Sequence, residues 1–125
     1  MIEILKTDKA PASTSPVSQG TKGAGMVFIG GQMPRDMTTG KIVEGAINQA
    51  RLSLKHCITI LQEAGSNVED VLLAVVYMTD LSQKDAVNLA FSEVFGDMPP
   101  TRNLVEVSDI GEGTIVEIAL TAIAH

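Results

Sequence analysis

The sequence has few aromatic residues and no long hydrophobic run. Phe, Tyr and Trp together make up 3% of the 125 residues, and Trp is absent. The longest apolar run, Val71–Met78, falls far short of the ~20 residues that cross a bilayer. The sequence therefore excludes a membrane-spanning helix. It also disfavours a single-stranded nucleic-acid site, because such sites stack bases on exposed aromatic rings.

Cysteine and basic residues are also scarce. Cys57 is the only cysteine, so no disulfide can form within the chain, and Met1–Lys9 lacks the apolar core of a signal peptide. We therefore expect a cytoplasmic protein. Nine Lys and Arg against fifteen Asp and Glu give a net charge of −6. This balance disfavours a nucleic-acid partner, because proteins that bind nucleic acids usually carry a basic patch.

Metal and cofactor motifs are missing as well. The two histidines, His56 and His125, are far apart, and no H-x-x-x-H or C-x-x-C spacing occurs. Gly30-Gly31 is not followed by a phosphate-binding pattern. We therefore predict no metal and no cofactor. Inside a predicted helix, Cys57 is expected in the core and His56 at the surface or half buried.

Aliphatic residues are abundant, since hydrophobic residues make up 45% of the chain. The length predicts one domain, residues 1–125. The pattern of apolar and turn residues along the chain predicts the order β-β-α-β-α-β-β, with a possible short edge strand at Ile2–Leu5. The predicted elements are Val17–Lys22, Met26–Ile29, Glu44–Ala64, Val71–Met78, a helix after Ser82 that ends at Met98-Pro99-Pro100, Thr101–Val107 and Thr114–Ala124.

The turn residues refine this prediction. Gly65 is a natural cap for the end of the first helix, and Ser82 is the expected N-cap of the second. The segment Gly30-Gly31-Gln32-Met33-Pro34 is expected to break the second strand. Hairpins at both ends of the order favour an α+β fold, with a single sheet and two helices on one face. The surplus of aliphatic residues would then lie on the other face. Covering it predicts an oligomer.

Arg102 and Glu117 are the most informative charged pair. If the last two strands form a hairpin that pairs Leu104 with Glu117, the two charged side chains become diagonal neighbours on one face, about 7–8 Å apart. One interpretation is a structural salt bridge, or two solvated side chains. The other is a site in which Arg102 clamps an anion and Glu117 activates water.

The chain resembles the reactive intermediate deaminase family, also called the YjgF family and formerly described as endoribonuclease or translation inhibitor. The resemblance covers nearly the full length, and its motifs are specific only in combination. They are Ala10-Pro11, Ser15-Pro16, Gln19-Gly20, Val27–Pro34, Gln49-Ala50-Arg51, Ala64-Gly65, Asp70-Val71, Tyr77–Leu81, Val87-Asn88, Pro100-Thr101-Arg102, Val105–Val107 and Val116-Glu117-Ile118.

The resemblance implies a chorismate-mutase-like fold assembled as a homotrimer, with sites in clefts between subunits. It also implies hydrolysis of enamines and imines, such as 2-iminobutanoate and 2-iminopropanoate, to 2-oxo acids and ammonia without a cofactor. On the family pattern Arg102 holds the carboxylate of the 2-imino or 2-oxo acid, and Glu117 positions the attacking water. Backbone groups around Gly31 orient the ligand, and Asn88 lies near the cleft.

Two positions depart from the family pattern. Val17 stands where an archetypal member has Tyr, and Leu104 where many have Cys. Both changes make the predicted cleft more apolar, which suggests a larger or more apolar 2-imino acid. They also keep open a non-catalytic trimer that binds small carboxylates or acts like a chaperone. An endoribonuclease, as in the older description, is a further alternative that the acidic charge disfavours.

Overall fold

A computed structural model describes all 125 residues as one six-stranded sheet packed against two helices. The strands are β1 (Glu3–Leu5), β2 (Gly20–Gly23), β3 (Met26–Gln32), β4 (Val71–Met78), β5 (Thr101–Glu106) and β6 (Val116–Ile123), and the helices are α1 (Ala46–Glu63) and α2 (Lys84–Phe95). The predicted α+β class and element order are confirmed. Neither helix is both long enough and apolar enough to cross a membrane.

The order of the strands in the sheet is β1-β2-β3-β6-β4-β5. Only β4 and β5 are parallel, and every other pair is antiparallel. The predicted hairpin between the last two strands is therefore wrong, because β4 lies between β5 and β6. The sequence could not show this, since a strand after a helix can return to either side of its predecessor.

The buried core lies between the sheet and the helices. In β6, Val116, Ile118, Leu120 and Ala122 are buried, and the residues between them are more exposed. This alternation is that of a strand with one face against the core. The opposite face, called the open face below, presents apolar side chains to solvent: Ile4, Phe28, Leu73, Val75, Val105 and Ile123.

The ends of the elements follow from their local chemistry. After α1, the Ser66 N–H bonds the Leu61 carbonyl and the Gly65 N–H bonds the Gln62 carbonyl, while Gly65 has a φ of 84°. This is the Schellman motif that the predicted glycine cap requires. The predicted N-cap at Ser82 is wrong. Its N–H instead bonds the Asp80 carboxylate in a 3-10 turn, and α2 begins at Lys84.

The second strand of the first hairpin continues through the glycine pair. In the register between β3 and β6, Ile29 pairs with Leu120 and Gln32 pairs with Ile118. Gly30 and Gly31 therefore lie opposite the single residue Ala119, which is a β-bulge. The predicted break over Gly30-Gly31-Gln32-Met33-Pro34 is wrong for its first three residues, because the bulge absorbs the extra residue and pairing resumes at Gln32, where the strand ends.

Candidate functional site

Glu117 lies on the open face beside the bulge. It pairs with Tyr77 across the β4–β6 ladder and is half buried. A Cβ added at Gly31 would stand 3.0 Å from its carboxyl carbon, so the Glu117 side chain lies directly over the Gly31 backbone. The carboxylate has no hydrogen-bond or ion-pair partner within the chain. Burial without a compensating charge raises the pKa of the Glu117 carboxyl.

Arg102 lies on the other face of the sheet, toward α2. Its Nη2 donates a 2.9 Å hydrogen bond to Asn88 Oδ1, and the guanidinium carbon stands 5.0 Å from the centroid of the Phe91 ring. A cation over an aromatic face is attracted by the ring quadrupole. Both supports come from α2 and orient the arginine, yet it has no carboxylate partner within the chain. Its remaining N–H groups can receive an external anion.

The two charged residues do not meet within one chain. Arg102 is in register with Ala74, whereas Glu117 is in register with Tyr77, three residues further along β4. Two strand spacings and three residues of rise place their Cα atoms roughly 14 Å apart, with the side chains on opposite faces. The predicted diagonal contact between Arg102 and Glu117 is therefore wrong, and with it the salt bridge across a hairpin.

The remaining predicted site residues divide between the two faces. Val17 is largely exposed and lines, together with Gly31, a cavity of about 590 Å³. Leu104 is two residues beyond Arg102 on the same strand, where it packs against the core. One set, Gly31, Glu117 and Val17, thus gathers near the bulge, and the other, Asn88, Arg102 and Leu104, belongs to α2 and β5.

Two residues near the charged groups were missed by sequence reasoning. Phe91 belongs to the apolar side of α2, and its spacing of three from Asn88 places both on the part of the helix that meets Arg102. Tyr77 lies beside Glu117 because β4 is inserted between the last two strands. Strand geometry places Tyr77 on the same face as Leu73 and Val75, but the apolar run Val71–Met78 shows neither which face that is nor that Glu117 lies beside it.

The histidines and the cysteine lie away from these groups or behind them. His56 is buried, contrary to prediction, and its Nε2 bonds the Arg35 carbonyl at 2.8 Å, which satisfies this ring nitrogen away from water; desolvation lowers its pKa. Cys57 is buried in the core, as predicted. Burial, and then the charge of Glu117, raises the pKa of its thiol far above the usual range. No cluster of three or more His, Cys, Asp or Glu side chains is placed to hold a metal ion.

Comparison with known proteins identifies the family. Residues 7–124 match the family described as Endoribonuclease L-PSP. The chain belongs to this family, the reactive intermediate deaminase or YjgF family.

Relatives within this deaminase family span the whole chain. A RutC family protein of Pyrococcus abyssi is 37% identical over 96% of this chain and 95% of its own length. TdcF of Escherichia coli K12, a candidate reactive intermediate deaminase, is 33% identical over 98% of both chains. The crystal structure of E. coli TdcF with bound serine has a TM-score of 0.93 at 32% identity, covering 98% of this chain and 99% of that one.

Proposed function

We propose that the protein hydrolyses 2-imino acids, and the enamines in equilibrium with them, to 2-oxo acids and ammonia. Family membership and the similarity to TdcF support this reaction class. The observation that carries the proposal concerns two charged groups, the Arg102 guanidinium and the Glu117 carboxylate. Neither has an oppositely charged partner within the chain. Such a pair matches a substrate that has a carboxylate next to an electrophilic carbon.

We further propose that each site is shared between two copies of the chain in a homotrimer. Arg102 and Glu117 lie on opposite faces of the sheet, so a ligand of a few atoms cannot touch both within one copy. The half-exposed apolar side chains of the open face support close association between copies. Because β5 is an edge strand of the sheet, a neighbour whose β5 edge lies against the open face would bring its Arg102 toward the Glu117 of the first copy.

The proposed reaction starts from the protonated imine. Arg102 binds the substrate carboxylate through two hydrogen bonds, which is the geometry its planar fork favours. Water attacks C2 while the Glu117 carboxylate takes one of its protons, and the C=N electron pair moves to nitrogen to give a tetrahedral carbinolamine. Glu117 returns that proton to the amino group. The C–N bond then breaks, and the hydroxyl proton leaves with the nitrogen as ammonium.

The local environment of Glu117 suits this role. Its raised pKa makes the carboxylate a stronger base toward water than an ordinary glutamate. The serine bound in the TdcF structure carries an α-carboxylate, which is the group assigned here to Arg102. The cavity of about 590 Å³ near Gly31 has room for a larger substrate side chain; Val17 and Met33 give it apolar surface, while several other side chains that line it are polar.

The test generates 2-iminobutanoate in situ with a threonine dehydratase and follows its disappearance by trapping the remaining imine as its semicarbazone. Wild-type protein should accelerate the loss, and Arg102→Ala and Glu117→Gln should each remove most of that acceleration. Arg51→Ala is the matched control, because Arg51 is exposed and pairs with Glu93. No acceleration by the wild type would refute the proposed function.

A mixing experiment tests whether sites are shared. Arg102→Ala and Glu117→Gln chains, unfolded together and refolded at equal ratio, should regain about one quarter of the wild-type activity if each site draws one residue from each of two copies. Recovery near zero would refute shared sites. Light scattering should give a trimeric mass, and a monomer would contradict the assembly.

A further inference from the structure

Helix α1 presents a row of polar side chains to the sheet. Gln49, Ser53 and Cys57 are spaced by four residues, so they lie along one face of the helix. Their exposed fractions are 3%, 0% and 0%. Burying polar groups is unfavourable unless they are hydrogen-bonded, so this row, called the polar row below, requires partners in the sheet.

Those partners lie on the main chain around Glu117. Gln49 Oε1 accepts hydrogen bonds from the N–H groups of Ile115 at 2.6 Å and Val116 at 3.2 Å. The Cys57 thiol donates to the Ile118 carbonyl at 3.1 Å. The polar row therefore bonds β6 on both sides of Glu117, from the face opposite to the one that carries its carboxylate.

Ser53 makes the bond that spans two strands. Its hydroxyl donates to the Gln32 carbonyl at 2.6 Å and accepts from the Ile118 N–H at 3.0 Å. Gln32 and Ile118 are the pair at which the ladder resumes after the bulge. Each directly follows a site residue, since Gly31 precedes Gln32 and Glu117 precedes Ile118.

We propose that Ser53 is a positioning residue for Glu117: its hydroxyl fixes the spacing of β3 and β6 at the bulge and so holds the carboxylate over Gly31. This inference rests on the proposed function for its kinetic part. Serine suits the place because a hydroxyl donates and accepts at once. Alanine can do neither, which would leave the Gln32 carbonyl and the Ile118 N–H without this bridge.

The pKa of Glu117 depends on how deeply its carboxylate is buried, so it reports the position of the side chain. The titratable groups around it are Tyr77 on β4, Asp109 in the loop before β6 and Cys57 on α1 behind the sheet. Within the chain none of these is a cation, and desolvation is the cause that raises the pKa of Glu117. The cation proposed to face it, the Arg102 of a neighbouring copy, is the same in every variant compared below. If β3 and β6 separate at the bulge, water reaches the carboxylate and its pKa falls toward the ordinary glutamate value.

The experiment compares Ser53→Ala with Ser66→Ala in the full chain. Ser66 is an equally buried serine whose hydroxyl donates to the Ile123 carbonyl at 2.7 Å, at the other end of β6. The Glu117 pKa is measured by the ¹³C chemical shift of its carboxyl, assigned with Glu117→Gln. Kinetics are measured with 2-iminobutanoate generated in situ. Ser53→Cys, which replaces the hydroxyl by a weaker donor and acceptor, is the second variant if Ser53→Ala does not fold.

Ser53→Ala should lower the Glu117 pKa and reduce kcat by about 10- to 100-fold, the range expected for a displaced catalytic group. KM should stay within about twofold, since Arg102 binds the substrate carboxylate. Ser66→Ala should change neither the Glu117 pKa nor kcat. An unchanged Glu117 pKa in the Ser53 variant, or an equal shift in Ser66→Ala, would overturn the inference. If the wild type lacks deaminase activity, the proposed function fails while the carboxyl titration still decides the role of Ser53.

Discussion

Replacing Gly31 by alanine should reduce catalytic activity strongly while lowering the stability of the fold only slightly. A Cβ at this position would stand 3.0 Å from the Glu117 carboxyl carbon and 3.3 Å from its Cγ, and closer still to Oε1. Ordinary carbon contacts lie at about 3.5–4.0 Å, so the carboxylate would have to move by roughly 1 Å or more. A misplacement of that size costs about 100-fold in rate, or about 2.7 kcal/mol in the barrier.

The same substitution should affect folding only slightly. Gly31 does not have the positive φ that would strain an alanine, and the atoms to be displaced belong to a half-buried side chain that can rotate toward solvent. Overpacking at its low end costs about 1 kcal/mol, which corresponds to a fall in Tm of about 4 °C for a chain of this size. Gly31→Ala should therefore remain folded while losing most of its kcat.

Gly30→Ala is the matched control. A Cβ at Gly30 would meet only the carbonyl oxygens of Gln19 at 3.5 Å and Ser18 at 3.6 Å, which are ordinary contacts. Steady-state kinetics with 2-iminobutanoate and thermal unfolding measure both variants. The reasoning is refuted if Gly31→Ala retains kcat within about twofold of the wild type. Equal kcat losses in the two variants would also refute it, since the bulge rather than the added methyl group would then be responsible.

Three further predictions concern Arg102, Glu117 and Cys57. Asn88→Ala removes the hydrogen-bond acceptor of Arg102, so KM should rise about 10-fold with little change in kcat, as steady-state kinetics would show; a fall in kcat alone would contradict this. Because the folded state raises the pKa of Glu117, wild-type stability decreases as the pH rises from the ordinary glutamate pKa through the raised pKa of the folded state. Glu117→Gln should therefore have a higher Tm than the wild type at pH 8 and lose this advantage below about pH 4, near the ordinary glutamate pKa; a lower Tm at pH 8 would refute this. The Cys57 thiol, buried and with a raised pKa, should react with a disulfide reagent at pH 8 only after unfolding; rapid reaction of the native protein would contradict its burial.

The elements were predictable because their local signals are strong. The apolar spacing along α1, the glycine after it and the apolar run of β4 each identify an element from its own residues. The helix–sheet architecture then follows from burying one face of each. Errors of a few residues arose where tertiary contacts decide a boundary, as at Gly30-Gly31, where the sheet accommodates the glycines as a bulge rather than ending.

The spatial relation of the site residues was not predictable in the same way. Arg102 and Glu117 stand out in the sequence as charged residues in apolar strands, but whether the two strands are neighbours depends on where β4 lies. Alternation within a strand gives the face of each side chain only relative to its own strand. The support of Arg102 by Phe91, and of the bulge by Ser53, depends on helix–sheet packing that no local pattern records.

The position of β6 has a consequence for synthesis of the chain. This strand follows every other element in sequence, yet it lies between β3 and β4 in the sheet. Until residues 116–123 have left the ribosome, no strand can join β1-β2-β3 to β4-β5, and the edges of β3 and β4 that β6 will cover stay unpaired. Such edges are prone to associate with other chains, so the nascent protein is most exposed to aggregation just before its last strand arrives. The strand that joins the two halves also carries Glu117, so the sheet and the proposed water-activating carboxylate are completed in the same step.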